Sequence, residues 1–333
     1  MSRAFEITRT LPEDTTGADL RADVLGGLTA EPKVLPPKWF YDARGSELFD
    51  EITTLEAYYP TRAEREILLA RAGEIAEATG ARTLIELGSG SSDKTRHLLD
   101  ALPDLHTYLP VDVSESALTQ AAQALAEERP GLAVHALIAD FTRELDLPGD
   151  PPGPRLVAFL GGTLGNLLPA ERAGFLRAVR GMLAPGDALL LGTDLVKDPA
   201  VLVAAYDDEQ GVTAAFDKNV LAVINRELGA DFDLDAFDHV AVWDAEREWI
   251  EMRLRSREAT TVKIPALDLA VDFAAGEEVR TEVSAKFRRD GIAAELAAAG
   301  FELARWWTDE GGRFALSLST VPDAAGNGNA QTV

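Results

Sequence analysis

The sequence predicts an α/β chain: a Rossmann-like, mostly parallel sheet finished by a terminal antiparallel hairpin, with a second α+β domain attached. Three observations predict it. Residues 61–195 alternate short, almost wholly apolar segments with helical ones, the pattern of parallel strands covered on both faces. The first apolar segment runs straight into two glycines and a polar helix start, "LIELGSGSSDKT" (84–95). Roughly 90 residues before the C-terminal hairpin fit no simple crossover, and a connection that long is usually an inserted functional unit.

The elements follow in order. Thr61 and Glu64 have capping-box spacing before a helix that reaches about residue 78. "TLIEL" (83–87) is the first strand, followed by a helix over 92–101. "TYLPVD" (107–112) is the second strand, and Ser114 caps a helix over 114–128. "LAVHALIAD" (132–140) and "RLVAFLGG" (155–162) are strands, then comes a helix over 169–183 and a fifth strand, "DALLLGTDL" (187–195). Asp198 and Pro199 start one long helical region through "LVAAYDDEQGVTAAFDKNVLAVINREL". "HVAVWDAEREWIEMRLRS" and "TTVKIPALDLAVDF" read as antiparallel strands. After the helix "RDGIAAELAAAG", strands 301–309 and 313–321 are joined by Glu310-Gly311-Gly312 as a hairpin.

The first 60 residues lie outside the alternating pattern. The expected division is therefore a sheet domain of 61–195 and 287–321, and a second domain of 1–60 and 196–286 over the sheet's carboxyl edge. The small, polar stretch 322–333 reads as a disordered tail.

Composition narrows the function classes. The 333 residues carry a formal net charge of -24, which repels phosphate backbones and argues against nucleic acid as a partner. There is no cysteine, so disulfides, thiolate metal sites and Cys nucleophiles are excluded together. His97, His106, His135 and His239 show no metal-ligand spacing, and each reads as an ordinary surface or core histidine; no metal is expected. No apolar run approaches the roughly 20 residues of a membrane span, and the N-terminus has no signal-peptide core. A soluble, cytoplasmic, monomeric protein is expected.

The glycine loop points to a ligand. In open α/β sheets ligands bind beyond the carboxyl ends of the strands, at the switch point. Gly88 and Gly90 allow a tight turn and close approach. A nicotinamide fingerprint would carry a third glycine where Asp93 stands, and an acid at a helix start repels a pyrophosphate. S-adenosylmethionine (SAM) lacks phosphate. Glu86-x-Gly88-x-Gly90 has the form typical of SAM-dependent methyltransferases. Asp112, ending the second strand, suits the ribose hydroxyls. Asp140, ending the third, suits the adenine amino group, and Phe141 can flank the base. Lys94 at the helix start can reach the SAM carboxylate. Each acid alone could equally cap a helix or face solvent; three at successive strand ends are far more specific. The fold expected is that of the class I SAM methyltransferases.

The methyl acceptor must be read elsewhere. "LPPKWFYDARGSELFDEITTLEAYYPTRAE" (35–64), "LGGTLGNLLP" (160–169), "LLLGTDLVKD" (189–198), residues 205–239 and "FAAGEEVRTEVSAKF" (273–287) resemble the EgtD family of histidine-specific methyltransferases. The resemblance runs from about residue 20 to 320. It implies trimethylation of the α-amine of L-histidine to hercynine, on the ergothioneine pathway, with S-adenosylhomocysteine as the other product and no metal. It places histidine between the two domains. Asn166 and Tyr206 would hold the substrate carboxylate, Glu282 and Ser284 the imidazole, with Tyr58 beside it. Gly161 would line the substrate loop, Met252 the pocket wall, and Tyr41 the reacting amine, so that Tyr41 and Asn166 stand nearest the chemistry. One departure is Gly162, where relatives often carry serine.

Plainer readings stand beside these. Gly165-Asn166 is also a common turn pair, Tyr206 sits on an apolar helix face, and Tyr41, Tyr58 and Met252 could be core residues. Alternation puts Glu282 and Ser284 on one strand face, which could be plain solvated surface. The nearest alternative function is the same chemistry on a tryptophan derivative. An NAD-dependent dehydrogenase and an inactive SAM-binding regulator are more distant.

Overall fold

Strand and helix assignments come from a computed structural model, which describes residues 5–10, 15–90, 94–141, 147–149 and 151–322. In chain order the elements are β1 (Phe5–Arg9), α1 (Thr15–Thr29), β2 (Lys33–Val34), α2 (Ala43–Thr54), α3 (Pro60–Thr79), β3 (Thr83–Leu87), α4 (Thr95–Ala101), β4 (Thr107–Asp112), α5 (Glu115–Glu128), β5 (Ala133–Ile138), β6 (Arg155–Phe159), α6 (Pro169–Gly181), β7 (Ala188–Asp194), α7 (Pro199–Tyr206), α8 (Val212–Leu228), β8 (Phe237–Asp244), β9 (Trp249–Ser256), β10 (Thr260–Ile264), β11 (Leu269–Phe273), β12 (Glu278–Ala285), α9 (Arg289–Ala298), β13 (Glu302–Thr308) and β14 (Phe314–Thr320). The chain divides into two units, Met1–Leu11, Ala63–Leu195 and Phe287–Val333 in the first, Pro12–Arg62 and Val196–Lys286 in the second. No helix among the described residues is long and apolar enough to cross a membrane.

The first unit is built on an eight-stranded sheet in the order β1-β5-β4-β3-β6-β7-β14-β13. Its first six strands are parallel, while β14 runs antiparallel to β7 and β13 antiparallel to β14. All residues of β3 and β7 are buried, which is why these strands read as unbroken apolar runs. Chain order reverses between β3 and β6, so their carboxyl ends form the switch point where such sheets bind ligands.

Residues 5–9 correct the expected placing of the whole segment 1–60 in the second domain. They pair in parallel with β5, Phe5 opposite Val134. The strand is half-buried at Phe5 and exposed beyond it, so it joins through backbone bonds and carries no hydrophobic signal. The capping box read from Thr61 and Glu64 is also corrected. The helix begins at Pro60, and the Glu64 carboxylate is used by distant partners instead: it accepts from the Gly161 amide and pairs with Lys94. Ser114 stands before α5 without a side-chain cap bond. Apart from Pro322, the C-terminal stretch read as disordered lies outside the described residues, as does Asp93.

The second unit contains a four-stranded sheet, β2-β12-β9-β8, and the separate hairpin β10-β11. Helix α8 lays Phe216, Val220, Leu221 and Ile224 into its core. The single long helix expected over this region is two helices. Asp208 accepts from the amides of Val212 (3.2 Å) and Thr213 (2.7 Å), starting α8 afresh, and Gly211 takes a left-handed φ of 74°. Burial works to raise the Asp208 pKa, but these bonds hold it below the ordinary value. The break leaves Tyr206 as the last residue of α7.

Candidate active site

At the switch point of the first unit, β3 gives way to Gly88 and Gly90, both left-handed with φ of 69° and 49°. The left-handed turn at Gly88 is one that a residue with a Cβ resists, and the Phe141 ring packs beside it. Phe141 is fixed in turn by an edge-on contact with Phe159, ring centres 5.5 Å apart. Asp112, at the end of β4, accepts from the Gly90 amide (3.0 Å) and the Ser114 amide (2.9 Å). Burial raises its pKa against the pull of these bonds. A carboxylate has about four lone-pair sites, so Asp112 keeps capacity for hydroxyl donors, and such donors would stabilise its charge. Ser89 Oγ is buried in the same loop without a hydrogen-bond partner among the described residues. Asp140 is half-buried beside Phe141. A ribose, an aromatic base and a polar tail fit these groups.

Glu86 is tied inward. It is 4% exposed, and its carboxylate accepts from the Thr95 hydroxyl and, at 2.5 Å, from the Tyr108 hydroxyl. It joins the central strand to the first turn of α4. Burial dominates its titration and lifts its pKa to about 7, against the hydrogen bonds from Thr95 and Tyr108 and the charge of Lys94.

Glu64 is a residue the sequence reading missed as part of the site. Its side chain is fully buried, pairs with Lys94, and accepts from the Gly161 amide at 2.7 Å. One carboxylate thus holds both the cation of the glycine loop and the turn after β6. Gly161 and Gly162 there have φ of 80° and 72°, a left-handed conformation that favours glycine and gives the departure at Gly162 a backbone reason. A single 3-10 turn, Thr163–Asn166, follows and leaves Asn166 half-buried at its end.

The second unit gathers the remaining candidates. The register of β12 against β9 shifts between Arg280 and Glu282. At this bulge Thr281 turns into the core, donating to Asp217 Oδ1 (2.5 Å) and the Met252 carbonyl (3.0 Å). Beyond it Glu282 lies directly opposite Met252, and Ser284 opposite Ile250. Ser284 Oγ is 2.7 Å from the Tyr206 hydroxyl. Tyr58 meets the Tyr206 ring edge-on at 6.3 Å, and Phe49 links Tyr58 (6.2 Å) to Tyr41 (5.6 Å). Tyr206, Met252 and Ser284 are buried, Tyr58 and Glu282 half-buried, and Tyr41 is 44% exposed. The structure therefore brings Tyr58, Tyr206 and Ser284 into contact, sets Glu282 beside Met252 in the same strand pair, and reaches Tyr41 through one phenylalanine.

Two further residues belong to this cluster. Lys286, 3% exposed, donates to Tyr206 Oη (2.9 Å) and Ser284 Oγ (2.8 Å). Its signal was in the sequence: the two-residue period of Glu282 and Ser284 continues to it. His239, read as an ordinary histidine, is an ion-paired one. Its Nδ1 lies 2.6 Å from Asp217 Oδ2 and its Nε2 2.8 Å from the Tyr206 carbonyl. Both neighbours only accept, so both ring nitrogens carry protons. Burial works to lower the His239 pKa, yet the hydrogen bond and charge of Asp217, with the Tyr206 carbonyl and the Asp207 charge, raise it.

Comparison with known proteins gives these residues a family. A sequence model of the histidine-specific, SAM-dependent methyltransferases matches residues 20–321. The chain is 58% identical to the histidine N-alpha-methyltransferase of Mycolicibacterium smegmatis, over 93% of its own length and 97% of that protein. It is equally similar, 58% over the same shares, to the enzyme of that name from Mycobacterium tuberculosis. It is also 32% identical over 69% of its length to ergothioneine biosynthesis protein 1 of Schizosaccharomyces pombe, spanning 32% of that longer protein. With the match extending across both units, the chain belongs to the SAM-dependent histidine-specific methyltransferase family.

Proposed function

We propose that this protein trimethylates the α-amino group of L-histidine to hercynine, a step of ergothioneine biosynthesis. The observation that carries the reading is the polar cluster of the second unit. The Tyr206–Ser284 hydroxyl pair and Glu282 on the same strand face offer donors and acceptors suited to an amino acid with a hydrogen-bonding ring. Near identity of length and 58% sequence identity with enzymes named for this reaction support it.

In the first unit, Gly88 and Gly90 leave room for SAM, Asp112 accepts from its ribose, Asp140 from its adenine amino group, Phe141 flanks the base and Lys94 faces its carboxylate. Bound there, SAM supplies an electrophilic methyl on a sulfonium, which needs no metal. In the second unit, Glu282 and Ser284 bind the imidazole, with Tyr58 beside it and Met252 as the wall, and Tyr206 binds the carboxylate. Asn166 and Gly161, in the turn after β6, are the further substrate-binding residues of this reading. A carboxylate facing an imidazole N–H explains selectivity, because an amino acid lacking that group cannot form this charge-assisted bond. The attacking amine must be neutral, whereas an α-amino group with a pKa of roughly 7.7–8.0 is mostly protonated at neutral pH. Tyr41 orients a water that takes the proton; an unperturbed phenol near pKa 10 is itself a poor base there.

The test is mass spectrometry of purified protein incubated with SAM and an equimolar panel of amino acids. Histidine alone should gain methyl groups and end as the trimethylated product, and Glu282→Ala should lose this preference. Methylation of another amino acid in place of histidine would remove the imidazole roles of Tyr58, Glu282 and Ser284.

A further inference from the structure

We propose that Lys286 is a positioning residue of the substrate site, whose ammonium orients the Tyr206–Ser284 hydroxyl pair so that the pair presents one O–H donor to an acceptor atom of the bound amino acid. The inference rests on the histidine reading above and extends it to a residue that reading does not use.

The argument is one of proton counting. An ammonium group has three donors and no acceptor. Lys286 Nζ sits 2.9 Å from Tyr206 Oη and 2.8 Å from Ser284 Oγ, so it donates to both. The two oxygens are 2.7 Å apart and share one hydroxyl proton between them. Two hydroxyl protons exist. One lies in the shared bond, and the other cannot point at the ammonium. It is therefore directed out of the triangle, whichever hydroxyl carries it. Replacing Lys286 with an uncharged, non-donating side chain removes its constraint on both hydroxyls, so that the orientation of the donor is no longer set by the ammonium.

The surroundings hold the triangle in place. Lys286 lies over the Tyr206 ring, 4.5 Å from its centre, and its backbone amide is bonded to the Glu248 carbonyl at 2.8 Å. All three side chains are buried. A fixed cation here favours a lone-pair acceptor on the ligand and disfavours a second cation, because charge is weakly screened in a buried cluster. In histidine the acceptor is a carboxylate oxygen or the unprotonated ring nitrogen.

The experiment is calorimetric titration of histidine and of histamine, which lacks the carboxylate, into protein saturated with S-adenosylhomocysteine. Wild type, Lys286→Met, Tyr206→Phe and the double variant are compared. Lys286→Met should weaken histidine at least tenfold while leaving S-adenosylhomocysteine affinity within twofold and kcat within threefold. Because Lys286 acts through the Tyr206–Ser284 hydroxyl pair, and Tyr206→Phe already dissolves that pair, the double variant should bind histidine no more than about twofold worse than Tyr206→Phe alone, the non-additivity expected of groups in one network. Losses confined to histidine identify the carboxylate as acceptor; equal losses for histamine identify the ring nitrogen. Unchanged histidine affinity in Lys286→Met, or additive losses in the double variant, would overturn the proposal. If Lys286→Met does not fold, Lys286→Gln, whose amide keeps two N–H donors without the charge, must show a smaller loss of the same pattern. A wild-type protein that leaves histidine unmethylated would sink the functional reading and this one with it, whereas wild-type turnover with an indifferent Lys286 sinks this one alone.

Discussion

Replacing Glu86 by glutamine should remove a pH-dependent weakness at the centre of the first unit. Glu86 is 4% exposed, and burial lifts its pKa from 4.5 to about 7. Between those values the folded chain holds a proton on Glu86 that the unfolded chain has released, so stability falls as pH rises through the window. At about 1.4 kcal/mol per pH unit, the gap is worth about 3 kcal/mol once the pH exceeds the folded value. Glutamine carries no charge to bury. Urea unfolding of both proteins from pH 4.5 to 8.5 should give curves that converge at the acid end and separate by about 3 kcal/mol at the alkaline end, glutamine the more stable. Contributions from titrating groups distant from Glu86 are common to the two proteins and cancel in the difference. Parallel curves across the range would refute the reasoning, since they would mean that Glu86 ionises as an ordinary surface carboxylate does.

Two other substitutions probe further buried charges. Glu64→Gln keeps an acceptor for the Gly161 amide but leaves Lys94 without its counter-charge; breaking a buried pair costs about 3–5 kcal/mol, and the loss here should be smaller because Lys94 is 23% exposed. S-adenosylhomocysteine binding should weaken, and the pH midpoint assigned to Glu86 should fall, since the Glu64 charge helps to raise it. His239 has a raised pKa, so its contribution to stability is complete below its ordinary 6.5 and is lost as pH climbs through the folded value. His239→Gln should therefore destabilise most at pH 6 and progressively less above it. Nitrogen-15 NMR at pH 6 should show both ring nitrogens protonated, a signal assignable by its absence from the variant among only four histidines; a neutral ring at that pH would contradict the two-acceptor geometry.

What could be read beforehand follows from where each side chain is buried. Strands β3, β4, β6 and β7 announce themselves because both faces are covered and nearly every residue is apolar. Strand β1 is silent because most of it is exposed: backbone pairing and surface ion pairs such as Arg9–Glu115 hold it, and neither leaves an apolar pattern. The division between α7 and α8 is marked by the polar run Asp207-Asp208-Glu209-Gln210-Gly211, and was missed because helical patterns stand on both sides of it. The glycine loop was legible because its chemistry is local. Glu64 was not, since its spacing from Thr61 fits a capping box while its true partners, Lys94 and Gly161, lie 30 and 97 residues away. Asp217, His239 and Thr281 come from three separate elements, and no periodicity in one segment can foretell such a meeting.

That meeting explains why the second unit keeps charges where apolar side chains would serve stability as well. A buried ion pair seldom adds net stability, because desolvation offsets its attraction. The Asp217–His239 pair does something an apolar pair cannot: it specifies direction. From α8, Asp217 accepts from Thr281 at the bulge of β12 and from His239 on β8. His239 in turn holds the carbonyl of Tyr206, the last residue of α7. The helix end that carries Tyr206 and the strand irregularity that aims Glu282 and Ser284 are thus locked to one carboxylate. If the bulge slipped by one residue, Glu282 and Ser284 would move to the opposite face of the strand. The network holds the register on which every proposed contact to the imidazole depends, and that is a reason for it to persist that needs no gain in folding free energy.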